Sequence, residues 1–203
     1  MLLSFRSSAA SEGTGTRRGI RDRTVTGYAR ATGWADDRRT HRATAHRGRA
    51  GDLRAYLDWH RATLALKCAG LSDDDLRRRS MPPSRLSLLG LVRHMAEVER
   101  SWFRRVVDGQ DVPLVWSADG DFQVAYDADG IDRAEAFAAW EGEIAHARRI
   151  ERAAPSLDVT GVDRMDGTAY SLRLVMLHVI QEYARHNGHA DLLREGLDGV
   201  TGV

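Results

Sequence analysis

Along most of the chain, apolar residues return at steps of three and four, the spacing of one face of an α-helix. From Asp52 the series Leu53, Tyr56, Leu57, Thr63, Leu64 and Cys68 marks a first long helix, and Gly70 supplies its stop. Ser72 and Asp75 have the spacing of a capping box and predict a short helix ended by Pro82-Pro83. A second long helix is predicted from Ser87 to Asp108, with Gly109 just past it. Its apolar stripe is Leu88, Leu91, Met95, Val98, Trp102 and Val106. Asp132 and Glu135 open a third helix, which Phe137, Trp140, Ile144 and Ala147 carry to Ala154 before Pro155 closes it. Ser171 caps a fourth that runs through Leu193 towards Gly196. Residues 110–131 read as an acidic loop whose Trp116, Phe122 and Tyr126 pack down over the helices. Four long helices without a clear strand predict an all-α four-helix bundle. The 155–170 connection is the one stretch with room for a short hairpin.

Residues 1–50 break the pattern. They show no sustained period and are rich in Arg, Thr, Gly, Ala and Ser. A segment of that kind buries too little apolar area to offset its ordering entropy. It reads as a disordered basic tail, or as sequence upstream of a mis-assigned start, with the folded domain over 51–203. Charge sharpens the division. The first fifty residues hold eleven Arg against four acids, and the remainder nineteen basic against twenty-five acidic residues. An Arg-rich arm could touch nucleic acid, but the acidic body lacks the basic face of a DNA-binding domain.

Composition excludes other classes. Hydrophobic residues at 42% and charged residues at 29% suit a globular chain with a sizeable core. Cys68 is the single cysteine, so no intrachain disulfide forms. Its place on the apolar stripe of the first helix marks it as a buried thiol rather than a nucleophile. No apolar run approaches the ~20 residues that cross a bilayer, and Arg6 interrupts the opening apolar residues before a secretory segment can form. The expected location is the cytoplasm.

Chemistry concentrates on the fourth helix. At ~100° per residue, His178, Glu182, His186 and His189 fall within an arc of roughly 80°, close to Leu174, Val175, Leu177 and Ile180. Polar groups set into an apolar face are costly unless partnered. Two side chains at i and i+4 can reach one ion, and a third ligand must then come from another helix. His94 is the histidine on the inward side of the second helix, whereas His60 and His146 neighbour polar or charged residues. The plainer alternatives are a core-edge His94 bonded to a carbonyl or carboxylate, and a salt-bridged fourth-helix face ending in an Asn187-Gly188 break.

The run Leu-Leu-Gly-Leu-Val-Arg-His94-Met-Ala-Glu-Val-Glu-Arg, followed by Trp102-Phe103-Arg104-Arg105, resembles the second helix of DinB-like proteins. The run His178-Val-Ile-Gln-Glu182-Tyr-Ala-Arg-His186-Asn-Gly-His189-Ala-Asp191 resembles their fourth. The likeness extends from about Arg49 to the C-terminus and points to an actinobacterial-type branch of the superfamily. It implies a DinB-like four-helix bundle holding one divalent metal ion through His94, Glu182 and His186. Glu182 departs from the His found there in many DinB-like proteins, and is similar to the His–Glu–His site of mycothiol-dependent maleylpyruvate isomerase.

Two His and one carboxylate leave a coordination position open, as in catalytic zinc sites. Zn is the first expectation, and Ni, Fe and Mn fit the same donors. By resemblance the partners are a low-molecular-weight thiol such as mycothiol and a small-molecule electrophile, in a thiol S-transferase or isomerase. His178, His189 and Asp191 are candidates to support the ligands, as is Glu97, and Arg93 and Arg185 to meet carboxylates. Two other readings stand beside this one: a non-enzymatic metal-binding stress-response protein, and a nucleic-acid-associated protein using the Arg-rich tail. A homodimer is compatible with all three.

Overall fold

The computed structural model describes residues 48–202. The reading of residues 1–50 as a basic tail therefore lies, up to residue 47, outside the described residues. Helix α1 (Arg49–Cys68) begins three residues ahead of Asp52, with the Gly48 carbonyl accepting from Asp52 N at 3.0 Å. Gly70, at φ 76°, follows its end and lets the chain turn back. In α2 (Asp73–Arg77), Ser72 Oγ accepts from Asp75 N at 3.1 Å and donates to the Asp75 carboxylate at 2.7 Å. That helix is over before the prolines: Arg78 already has extended backbone, so Pro82-Pro83 do not end it.

Helix α3 (Leu88–Glu99) starts as expected on Ser87, whose hydroxyl accepts from Gly90 N at 3.2 Å. The predicted second helix then changes type. Arg100–Val107 is a π-helix, closed by Asp108 N donating to Phe103 O at 2.9 Å, an i→i−5 bond. A 3.6-residue stripe carries no mark of that widening. Within this segment Phe103 is buried, while Arg100 and Arg104 both reach Glu143, at 2.7 Å and 3.1 Å. Glu143 lies on α4 (Arg133–Ala153), which Asp132 caps by accepting from Ala134 N at 2.9 Å.

The 155–170 connection does hold a hairpin. Strands β1 (Thr160–Val162) and β2 (Ala169–Ser171) pair antiparallel, Gly161 opposite Tyr170. A Cβ on Gly161 would sit 1.9 Å from the Val106 carbonyl, so only glycine lets the strand rest on the π-helix. The hairpin feeds directly into α5 (Leu172–Asp198), whose first free amides donate to Val159 O and Leu157 O. Ser171 caps it at Leu174 N, 3.2 Å away. The helix runs through Asn187, Gly188 and Gly196 without a break, and ends at Gly199, φ 74°.

α1 packs along α5, α3 along α4, and α3 also meets α5. The core between them holds Leu57, Leu64, Leu91, Met95, Trp140, Ile144, Val175 and Val179. Burial of each large side chain contributes about 1.5–3 kcal/mol. All four long helices also meet in one polar knot. Arg61 on α1 grips Glu99 on α3 through two bonds of 2.8 Å and reaches Glu151 on α4 at 3.2 Å. Tyr183 on α5 donates to Glu99 at 2.9 Å and accepts from Trp140 Nε1 at 2.8 Å. Among the described residues, no helix is long and apolar enough to cross a membrane.

Candidate metal centre

α3 and α5 cross where His94 meets Glu182 and His186. One ligand atom from each lies within 4.8 Å of the others. Glu182 Oε2 stands 3.4 Å from His186 Nε2 and 3.8 Å from His94 Nε2. The i, i+4 pair comes from successive turns of α5, and the third donor from the facing helix, as the spacing predicts. The inward row of α5 is Val175, Val179, Tyr183, His186, Ala190 and Leu193, all buried. Leu174 and Leu177 point outward instead. His186 is therefore set into the core row, with Glu182 at its edge.

His94 is the telling residue. It is 8% exposed, and neither ring nitrogen has a hydrogen-bond partner. A buried polar atom left unpaired costs roughly 1–3 kcal/mol, so the core-edge histidine bonded to a carbonyl is not what forms. Burial pushes the His94 imidazole down to about 4, with the Arg185 charge adding to it. Burial also takes His186 down to about 3, helped by His94, His189 and Arg185. Both rings are neutral at neutral pH, and the His94 ring has a lone pair that no hydrogen-bond donor occupies. The donor set and the convergence of its atoms fit a divalent cation.

A loop closes over this cluster, held by residues for which the sequence suggested other roles. Glu97 accepts from the backbone amides of Val115, Trp116 and Ser117 at 2.7, 2.7 and 2.8 Å, so it orients a loop and not a ligand. Arg93 stacks on the Trp116 ring at 4.7 Å, and its carbonyl accepts from Trp116 Nε1. The same loop continues into a single 3-10 turn, Phe122–Tyr126, that lands on Gly90. A Cβ on Gly90 would meet the Tyr126 carbonyl at 2.5 Å. That close approach stacks the Tyr126 ring on His94 at 4.4 Å and brings its hydroxyl 3.4 Å from His186 Nε2. Burial first, and the Glu182 charge second, raise the phenol to about 12, so it stays protonated. Sequence reasoning foresaw Tyr126 packing on the bundle but not its place at the cluster, because nothing in a loop's spacing marks a tertiary neighbour.

The other sequence candidates divide. His189 Nδ1 lies 3.3 Å from His186 Nδ1. His178 stands two turns away, roughly 12 Å along the helix, with its ring on Trp102 at 4.3 Å. Asp191 pairs with Lys67 at 2.5 Å. His60 contacts Asn187, and His146 contacts Asp108 and Arg149. Cys68 is fully buried, and burial pushes its thiol up to about 12, which keeps it inert.

Compared with known proteins, the chain matches no curated protein. Compared with protein families, residues 52–199 match the one described as mycothiol-S-transferase. The match takes in every long helix and all three residues of the cluster, and it agrees with the resemblance to DinB-like proteins. The chain belongs to the mycothiol-S-transferase family.

Proposed function

We propose that this protein is a metal-dependent thiol S-transferase that joins a low-molecular-weight thiol, mycothiol or a close analogue, to a small electrophile. The observation that carries the reading is the buried convergence of His94, Glu182 and His186 with both nitrogens of His94 unpartnered. Family membership supplies the thiol. His94, Glu182 and His186 are the residues that would hold the ion, with zinc first among the metals that suit two imidazoles and a carboxylate. When bound, such an ion offers an open position at which a thiol loses its proton and becomes a nucleophile.

The chain's own residues prepare that position. His186 presents Nε2 to the centre only if its proton sits on Nδ1, and His189 Nδ1 is placed to accept it. His189 thus fixes the tautomer and the ring plane of His186. Tyr126 covers one side of His94 and excludes water there. Its protonated hydroxyl is a hydrogen-bond donor aimed at the centre.

The test is elemental analysis of the wild type and of His186→Ala, both purified without an affinity tag. The expected result is about one equivalent of metal in the wild type and its loss in the variant. A wild type that stays metal-free after incubation with Zn, Ni and Mn overturns the proposal. With metal established, consumption of mycothiol by an activated aryl halide should follow metal content.

A further inference from the structure

Beside the cluster lies an open groove of about 500 Å³, floored by Tyr126 and His186. Its size suits a small molecule. Three arginines line it, Arg79, Arg85 and Arg185, and they are not equivalent. Arg79 is occupied, bonded to Asp129 at 2.9 Å and to Asp127 at 3.5 Å. The Asp121 carboxylate is also engaged, accepting from Gln123 N within its own turn. Arg85 and Arg185 have no hydrogen-bond or ion-pair partner among the described residues, and both are exposed. They approach the groove from different elements, Arg85 from the loop before α3 and Arg185 from α5.

Arg185 stands next to the chemistry. It directly precedes His186 on α5 and lines the groove together with His186 and Tyr126.

We propose that Arg85 and Arg185 form a carboxylate subsite, so that the electrophile taken by this protein is a small carboxylate-bearing molecule. Guanidinium forks match the two oxygens of a carboxylate, and such charge-assisted bonds are about twice as strong as neutral ones. Carboxylate groups, which carry one charge each, are preferred to a phosphate dianion, which gathers two on one group, because Asp121 and Asp127 also line the groove and Glu182 adjoins His186. The substrate class rests on the transferase reading, but anion binding by the two arginines does not.

The test uses the full chain, stripped of metal with chelator, and titrates succinate while following the ligand by saturation-transfer NMR. Succinate should bind, and neutral succinamide should not. The double variant Arg85→Gln/Arg185→Gln should weaken succinate by about tenfold or more. Arg152→Gln, an exposed arginine on α4, makes a charge change away from the groove and should leave binding unchanged. Equal succinate affinity in the double variant and the wild type overturns the proposal. So does succinate binding that appears only after zinc is added, because the anion is then on the ion. Tighter binding of inorganic phosphate than of succinate overturns the carboxylate assignment. Metal content of the same wild-type preparation reads the transferase proposal separately: a protein that binds succinate but never metal keeps the subsite and loses the transferase.

Discussion

Two polar clusters interrupt the same apolar bundle, and they are built in opposite ways. The knot around Arg61 is complete in itself. Arg61, Glu99 and Tyr183 are fully buried, and each has partners from other helices. The Arg61 guanidinium is held well above its ordinary value, since the charges of Glu99 and Glu151 outweigh its burial. The centre at His94 brings three ligand atoms together without a hydrogen bond between His94 and Glu182, which stand 3.8 Å apart. The two clusters are close in sequence: Glu99 follows His94 on one helix continuation, and Tyr183 adjoins Glu182. Adjacent residues thus enter different networks, one closed and one open on the groove side. A satisfied buried network specifies and locks the packing of four helices. An unsatisfied one is a place where a ligand completes the structure.

The largest expected effect separates these roles. Glu99→Ala leaves Arg61 buried with only part of its compensation, and should lower the unfolding free energy by about 3–5 kcal/mol. Chelator should not change that loss. His94→Leu removes an unpaired polar group and fills its space, so the chelator-treated variant should stay within about 1 kcal/mol of the wild type. Denaturant unfolding of both variants, with and without chelator, checks the pair. Equal losses would mean that the His94 centre is a structural cluster like the other, and would sink the comparison.

Next in size is the response to metal. Zinc at one hundred times its dissociation constant should stabilise the wild type by about 2.7 kcal/mol. It should leave His94→Leu unmoved, and it should not repair Glu99→Ala beyond the same increment. Thermal melting with graded zinc measures all three. A wild type whose melting temperature ignores zinc removes the reason for treating the two clusters differently.

Much of this was legible in the sequence because helices advertise themselves locally. The caps at Ser72, Asp132 and Ser171 form where they are read, the second long helix starts at Ser87, and the apolar stripes of α3 and α4 face inward. The meeting of His94 with the Glu182–His186 pair was legible for a related reason: i, i+4 geometry fixes two positions, and the family resemblance chooses the third. What stayed hidden depends on distant neighbours. The seating of β1 on the π-helix needs Gly161 against the Val106 carbonyl, and the placing of Tyr126 needs Gly90 beneath its carbonyl. Each glycine reads as a weak spot in its own element and acquires its reason only when another backbone arrives. The partners of Glu97 and Asp191 were hidden in the same way, since residues 115–117 and Lys67 are remote from them in sequence.

A finer division runs along α5 itself. His189 touches His186 ring to ring, whereas His178 rests on Trp102. Loss of the group that fixes a ligand's tautomer weakens metal binding about 10- to 100-fold. His189→Ala should fall in that range, and His178→Ala should stay within about threefold of the wild type. Competition against a chromophoric zinc chelator gives both values. Equal effects would show that helix position, not contact with His186, governs the centre.

The smallest effect is one of acidity, and its sign follows from burial. An imidazole of ordinary value is mostly protonated at pH 6, and a metal must displace that proton. Two such ligands would weaken zinc binding by about tenfold between pH 7.5 and pH 6.0. His94, pushed down to about 4, and His186, to about 3, are neutral at both pH values. The affinity should therefore change by less than about twofold over that interval, after correction for the competing chelator, and fall only as pH approaches 4. The ion-free protein should show the complementary trend. Below pH 6.5 the unfolded imidazoles take up protons that the folded ones refuse, so stability falls as pH drops from 6.5 towards 4. A tenfold loss of zinc affinity by pH 6.0 would mean that water reaches both rings, and that the cover provided by Tyr126 and its loop is open in solution.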